Sequence, residues 1–204
     1  MSEAHGGLVL QGLERTVVHN RLRATLGLRW ELPHLLRGVV IPHGSRCLEI
    51  GTGMGWGTLG LIERSDTAMV IATDYDRTVL PMARFYIRQH APAAAVAFCQ
   101  ANAKSFPFPD GTFDVVLALY VLHHVAGYRA AIAEIGRVTK PGGRFLFIDV
   151  FRTSLMPHFR SLVPPEGLPS RGELTQLLRE AGFRIERWGG VPSLCRVVAR
   201  KEHV

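Results

Sequence analysis

From residue 46 onward, short apolar runs alternate with longer segments in which apolar residues recur every three or four positions. The short runs are typical of buried strands, and the longer segments are typical of amphipathic helices. The predicted strands are 46–50, 69–73, 96–99, 113–119, 144–150, 183–188 and 194–200. The predicted helices are 56–64, a segment ending near 89, 128–138, and a last helix that starts at a capping box formed by Ser170 and Glu173 and ends at Gly182.

This alternation predicts an α/β fold with a doubly wound, Rossmann-like sheet of seven mostly parallel strands and helices on both faces. The last two strands are separated by a connection too short for a parallel crossover, so they should form an antiparallel hairpin. Residues 8–38 read as helix, with Pro33 in a first turn. We expect one domain over 1–204, made of a helical cap at 1–44 and a core at 45–204, with 151–169 as an excursion on the substrate side.

Composition narrows the class of protein without naming a function. The chain has 204 residues, of which 47% are hydrophobic and 20% charged, as in a globular domain. It has no apolar run long enough to span a bilayer and no evident secretory signal, and its three cysteines are scattered. We therefore expect a cytoplasmic protein with no metal site. The net charge of +7 is spread along the chain, which favours a solvated basic surface over a nucleic-acid footprint.

Four glycines at alternate positions follow the first predicted strand, from Gly51 to Gly57. Such a turn between a buried strand and a helix holds a nucleotide-like ligand at the carboxyl edge of an α/β sheet. A phosphate loop is excluded because no Lys-Ser/Thr pair follows the glycines. A dinucleotide fingerprint starting at Gly55 would come five residues after Ile50, where the helix should already run, and Trp56 stands where its third glycine belongs in the true register.

Five motifs in order carry a resemblance to a known family. They are the run from Glu49 to Gly55, Asp74 at 23 residues after Gly51, Asn102-Ala103 with the stretch 106–114, Leu122-His123-His124, and the stretch 137–143. Together they resemble a class I S-adenosylmethionine-dependent methyltransferase of the type 11 branch. The resemblance covers residues 46–149, and the pattern at 170–200 fits the last helix and strand pair of that family.

The resemblance implies S-adenosylmethionine as the methyl donor and S-adenosylhomocysteine as the product. The Glu49 region and the glycine turn would meet the ammonium group, and Asp74 would accept both ribose hydroxyls. Tyr75 would lie on one face of the adenine, and Asn102 with Ala103 would contact its edge. The family often has Asp at the position of Asn102. The full expected cofactor set is Glu49, Gly51, Thr52, Gly53, Gly55, Asp74, Tyr75, Asn102, Ala103 and Leu119.

The candidate catalytic residues follow the fourth predicted strand. Tyr120, His123 and His124 lie on the edge where the methyl group should point, and histidine can accept a proton near neutral pH. Asp149 and His158 are rival bases. The acceptor site should include Trp30, Arg152, Leu155, Met156, Phe159 and Arg160, a lining that suits a moderately apolar, anionic small molecule.

Three functions follow as hypotheses. The first is methyl transfer to a small molecule by in-line displacement, with no membrane partner expected. The second is a nucleic-acid or protein methyltransferase, which the positive charge favours but which lacks an Asn-Pro-Pro-Tyr-type stretch after the fourth strand. The third is a regulatory protein that binds the cofactor without catalysis. The sequence leaves the acceptor and the oligomeric state open, a homodimer included.

Overall fold

The computed structural model describes residues 31–65, 67, 69–150, 169–191 and 194–203. Within them, strands alternate with helices along the chain. The strands are β1 (Arg46–Ile50), β2 (Met69–Asp74), β3 (Val96–Gln100), β4 (Phe113–Leu119), β5 (Thr139–Val150), β6 (Phe183–Val191) and β7 (Leu194–Lys201). The helices are α1 (Leu32–Leu36), α2 (Trp56–Arg64), α3 (Leu80–His90), α4 (Tyr128–Val138) and α5 (Arg171–Glu180), with a 3-10 turn at Leu122–His124.

The seven strands form one sheet in the order β3-β2-β1-β4-β5-β7-β6. The first five strands run parallel to one another, and β7 runs antiparallel to both β5 and β6. The order reverses between β1 and β4, where two parallel halves diverge. In open α/β sheets, ligands bind outside the carboxyl ends of the strands at such a reversal. The predicted fold, including the antiparallel hairpin at the end of the chain, is confirmed.

Two hydrophobic clusters cover the two faces of the sheet. One packs α4 and α5 on the inward residues of the central strands, with Phe113, Phe145 and Phe183 fully buried. The other packs α1 and α2 on the opposite residues of the same strands, including Leu117 and Ile148. Because side chains alternate between faces along a strand, consecutive residues at a strand end serve opposite sides of the sheet.

Two predicted strand bounds were wrong. β5 begins at Thr139 and not at residue 144, because Thr139 pairs with Phe113 before the register shifts. Pro141 and Gly142 are therefore part of an irregular strand, in which Gly142 has φ +78°. β6 continues to Val191 and not to residue 188, because it pairs with β7 as far as Leu194.

The predicted helical cap at 1–44 and the predicted excursion at 151–169 lie mostly outside the described residues. Of the predicted N-terminal helices the structure describes α1, in which Pro33 lies in the first turn as predicted. Arg187 on β6 fastens this helix by donating to the carbonyls of Leu35 and Arg37 at its carboxyl end. In the described ranges, no helix has the length and apolarity to cross a bilayer, and no His, Cys, Asp and Glu side chains group in the manner of a metal site.

Candidate functional site

The glycine turn joins β1 to α2 at the carboxyl edge of the sheet. Gly51, Gly53 and Gly55 all have positive φ, between +50° and +87°, which side chains rarely adopt. The Thr52 N–H donates to the carbonyl of Thr73 at 2.8 Å, so the turn is fastened to the end of β2. A Cβ built at Gly53 would meet no atom within 4 Å. At Gly53, the backbone of the turn is therefore not covered by any of the described residues.

Asp74 ends β2 beside this turn. Its Oδ2 accepts from the Gly53 N–H at 3.0 Å, and its Oδ1 accepts from the Asp76 N–H at 2.9 Å. Burial raises the pKa of this carboxyl above its ordinary value, although the two N–H donors oppose the shift. Asp74 does not cap α3, which has no side-chain cap bond. Its carboxylate instead lies against the open backbone of the turn, where a ribose would sit in the predicted arrangement.

Glu49 is turned into the protein beneath the glycine turn. Its side chain is 2% exposed, and its Oε2 accepts from the hydroxyls of Thr52 (2.8 Å) and Thr58. Thr58 is in the first turn of α2, so the carboxyl group stands at a helix N-terminus, where negative charge is favoured. Burial nevertheless raises the pKa of Glu49 to about 7. Glu49 thus holds the turn to α2, and its contact with the cofactor ammonium stays a prediction.

The predicted adenine-binding residues lie beyond β2 and β3. Tyr75 is half-buried, and its carbonyl accepts from the Gln100 amide at 3.1 Å. The Asn102 side-chain oxygen accepts from the Lys104 N–H at 3.0 Å, so one of its lone pairs is already used locally. Ala103 is buried. Leu119 ends β4 with its side chain near Gly57, which places it against the glycine turn.

His123 and Asp149 form a hydrogen-bonded pair at the ends of neighbouring strands. His123 lies in the 3-10 turn after β4, and Asp149 is the second-last residue of β5. The ring Nδ1 is 2.6 Å from Asp149 Oδ1, and the His123 N–H donates to Oδ2 at 3.2 Å. Asp149 is 1% exposed and also accepts from the Val150 N–H. Because a carboxylate only accepts, Nδ1 is the donor in this pair, and in the neutral ring the lone pair is then on Nε2.

The other two candidate catalytic residues are arranged differently. The His124 ring packs on His123 with centroids 3.8 Å apart. Tyr120 turns toward α1, and its hydroxyl donates to Glu31 at 2.6 Å. Tyr120 also has φ +53°, a costly conformation for a residue with a ring. The structure therefore brings His123, His124 and Asp149 together on one face and directs the Tyr120 phenol to the other.

Sequence reasoning missed two features of the site. Thr58 was not among the predicted residues, although a hydroxyl one helical turn inside α2 is well placed to meet a carboxyl group on β1. Asp149 was named as a rival base and not as the partner of His123. The neighbouring positions of β4 and β5 in a parallel sheet were the available signal. His158, predicted as a rival base, and the predicted acceptor lining at Trp30 and within 151–160 lie outside the described residues.

The comparisons with known proteins agree with this geometry. Residues 48–147 match the family described as Methyltransferase domain. The chain is 29% identical over 148 residues to the O-methyltransferase rstn1 of Aspergillus nomiae, covering 70% of this chain and 65% of that protein. It is 36% identical over 104 residues to the demethylmenaquinone methyltransferase of Thermus thermophilus, covering 51% and 46%. The chain thus spans about half to two thirds of the length of these relatives.

A solved structure gives the same fold. The S-adenosylmethionine-dependent methyltransferase from Aquifex aeolicus superposes with a TM-score of 0.73 at 20% identity, covering 94% of this chain and 99% of that one. At that identity the likeness shows the fold alone. The family match, the relatives and the fold point the same way: the chain belongs to the class I S-adenosylmethionine-dependent methyltransferases.

Proposed function

We propose that this chain transfers a methyl group from S-adenosylmethionine to a small-molecule acceptor that loses a proton as it is methylated. The His123–Asp149 pair is the observation that carries this proposal. It lies at the carboxyl edge beside the strand reversal, and proton removal is the chemistry that such a pair performs. The relatives support a small acceptor, since one is named for demethylmenaquinone and another is an O-methyltransferase.

The residues present fit the cofactor. A Cβ at Gly53 would meet none of the described residues within 4 Å, so the backbone there is open to a ligand, and Asp74 can accept ribose hydroxyls through the lone pairs that Gly53 and Asp76 leave unused. When bound, the cofactor supplies an electrophilic methyl carbon on a positively charged sulfur, which keeps the bonding electrons as the methyl group leaves. Tyr75, Asn102 and Ala103 would hold the adenine, as the family resemblance implies.

His123 and Asp149 would together remove the proton of the acceptor. Nε2 of His123 would accept the proton that a hydroxyl, thiol or acidic carbon of the acceptor loses on methylation. Asp149 keeps Nδ1 protonated and stabilises the positive charge that the ring gains. His123 later gives the proton to solvent, since its side chain is 13% exposed. Orientation of the acceptor in line with the methyl group would supply much of the remaining rate.

Calorimetry with S-adenosylhomocysteine tests the cofactor half of the proposal. We expect micromolar binding to the wild-type chain and at least a tenfold loss in Asp74→Asn, which keeps the shape but removes the charge that hydroxyls prefer. Asp110→Asn is the matched control, because that exposed carboxylate pairs with Arg137 far from the turn. Absence of binding to the wild-type chain would reject the proposed function.

The catalytic part of the proposal is tested with a panel of hydroxyl, thiol and acidic-carbon acceptors. The release of S-adenosylhomocysteine is measured with each of them. For any acceptor that is methylated, His123→Asn should lower kcat by about 100-fold or more with unchanged cofactor affinity. Asp149→Asn should also lower kcat with unchanged cofactor affinity, because the ring loses the carboxylate that orients it and stabilises its positive charge. Full activity of His123→Asn at all pH values would show that proton removal occurs elsewhere.

A further inference from the structure

Arg196 lies at the same edge of the sheet as the His–Asp pair, on the opposite face. It is the third residue of β7 and pairs with Ile148 on β5 and with Gly189 on β6. The Ile148 carbonyl accepts from the Tyr120 N–H at 2.7 Å, just after the end of β4. Neighbouring strands are about 4.8 Å apart, so Arg196 lies roughly 10 Å from the loop that carries the proposed base.

Among the described residues, no acidic group neutralises the guanidinium of Arg196. Its Nε is buried without a hydrogen bond, and no carboxylate of the described residues lies within ion-pair distance of it. Arginines with a structural role in this protein behave differently. Arg187 donates to the carbonyls at the end of α1, and Arg137 binds Glu134. A buried N–H of a cation that lacks an acceptor is costly, which marks Arg196 as a group that awaits a partner.

Open space adjoins Arg196 on the β6 side. Of the described residues, a Cβ built at Gly189 would meet only the Cβ of Arg196, at 4.0 Å. Gly189 is not in the left-handed region, whereas the next residue, Gly190, has φ +116° and needs to be glycine. Since backbone conformation does not demand a glycine at 189, its missing side chain leaves a gap beside the arginine. Arg196 itself is half-buried.

We propose that Arg196 binds a carboxylate on the methyl acceptor, so that the substrate is a small organic acid. This inference rests on the proposed function, because it assigns the acceptor of the same site. A planar guanidinium matches a carboxylate with two parallel hydrogen bonds, and it loses little hydration on burial. Such an acceptor would lie across the ends of β5 and β7. Its acidic end would contact Arg196, and the group to be methylated would lie toward His123.

A comparison of the affinities for a carboxylate and for its neutral analogue tests this assignment. The probes are 4-hydroxybenzoate and 4-hydroxybenzamide, which share a hydroxyl group and differ in charge. We expect the protein saturated with S-adenosylhomocysteine to bind the acid at least tenfold more tightly than the amide by calorimetry. Arg196→Met should weaken the acid at least tenfold and leave the amide unchanged. Gly189→Val, which keeps the charge but fills the gap, should weaken both probes.

Arg200→Met is the matched control, because it removes the same charge from the same face of β7 at the other end of the sheet. Arg200 is exposed and donates to the Gly142 carbonyl, so the variant should bind both probes like the wild-type chain. Equal binding of acid and amide, no binding of the acid, or an acid affinity unchanged in Arg196→Met would overturn the inference. All variants should keep wild-type affinity for S-adenosylhomocysteine, and loss of that binding in the wild-type chain would count against the proposed function instead.

Discussion

At the scale of single residues, Glu49 shows how burial and hydrogen bonding oppose each other. The carboxyl group accepts from two threonine hydroxyls, which favours the charged form, yet removal from water outweighs them and raises its pKa to about 7. The folded chain thus binds a proton at Glu49 more tightly than the unfolded chain does. The associated stability is fully present below the ordinary pKa of 4.5 and is lost as the pH rises through about 7.

Glu49→Gln should therefore gain stability relative to the wild-type chain as the pH rises from 5 to 8. Glutamine keeps an oxygen that accepts from both threonines but carries no charge to desolvate. The relative gain should be about 2 kcal/mol, measured as the change in the free energy of unfolding by urea denaturation without cofactor. Glu63→Gln on the exposed side of α2 is the control and should show no such trend. Parallel pH profiles for Glu49→Gln and wild type would contradict this assignment.

At the scale of elements, most strands and helices followed from the hydrophobic pattern. β1, β4, α2 and α4 have the predicted bounds, because each carries an apolar run or stripe with a clear turn signal at its end. The start of β5 was missed because Pro141 and Gly142 read as a turn, whereas pairing of Thr139 with Phe113 extends the strand through them. Tertiary contacts of this kind are not visible in a local pattern.

The residues of the candidate site also differ in whether the local sequence predicts them. The glycine turn and Asp74 could be predicted because each is a local motif at a strand end. The pairing of His123 with Asp149 could not, because it depends on how the ends of β4 and β5 stand beside each other. Nor could the position of Arg196 opposite Ile148 and Gly189, which the pairing of β7 with β5 and β6 sets. A shift of one residue in that register would exchange the faces of Asp149 and Ile148.

The junction between β1 and α2 gives a prediction about a helix. Gly57 sits in the first turn of α2, where an added Cβ would collide with the Glu49 carboxyl group and lie 3.0 Å from Leu119 Cδ1. Gly57→Ala should cost roughly 1–3 kcal/mol of unfolding free energy and weaken S-adenosylhomocysteine binding, since the turn must shift. Gly172→Ala in the first turn of α5 meets no atom within 4 Å and should instead add about 0.5 kcal/mol. A stabilising Gly57→Ala would show that the helix is not held this closely.

At the scale of the whole molecule, the net charge of +7 would favour a nucleic-acid substrate only if the basic groups shared one surface. In the described part of the chain many basic groups already face acids: Arg129 pairs with Glu173, Arg137 with Glu134 and Asp110, Lys140 with Asp114, and Arg144 with Glu186. These pairs are distributed over both faces and the loops. A continuous basic stripe, which a nucleic-acid substrate would require, is not the arrangement they produce.

Fluorescence anisotropy can separate a nucleic-acid substrate from a small-molecule substrate. The probes are a 20-base-pair DNA duplex and a single-stranded RNA of the same length, and binding is measured between 50 and 300 mM salt. Each phosphate contact contributes about −0.9 to the slope of log K against log salt on duplex DNA and about −0.7 on single strands. We expect shallow slopes, with a magnitude below about 2, because acidic groups already pair with several of the described basic groups. The full chain is used, so that residues 1–30 and 151–168 contribute their own arginines. A slope of about −5 or steeper on either probe, lost together with methylation in a variant of those arginines, would favour a nucleic-acid acceptor over a small organic acid.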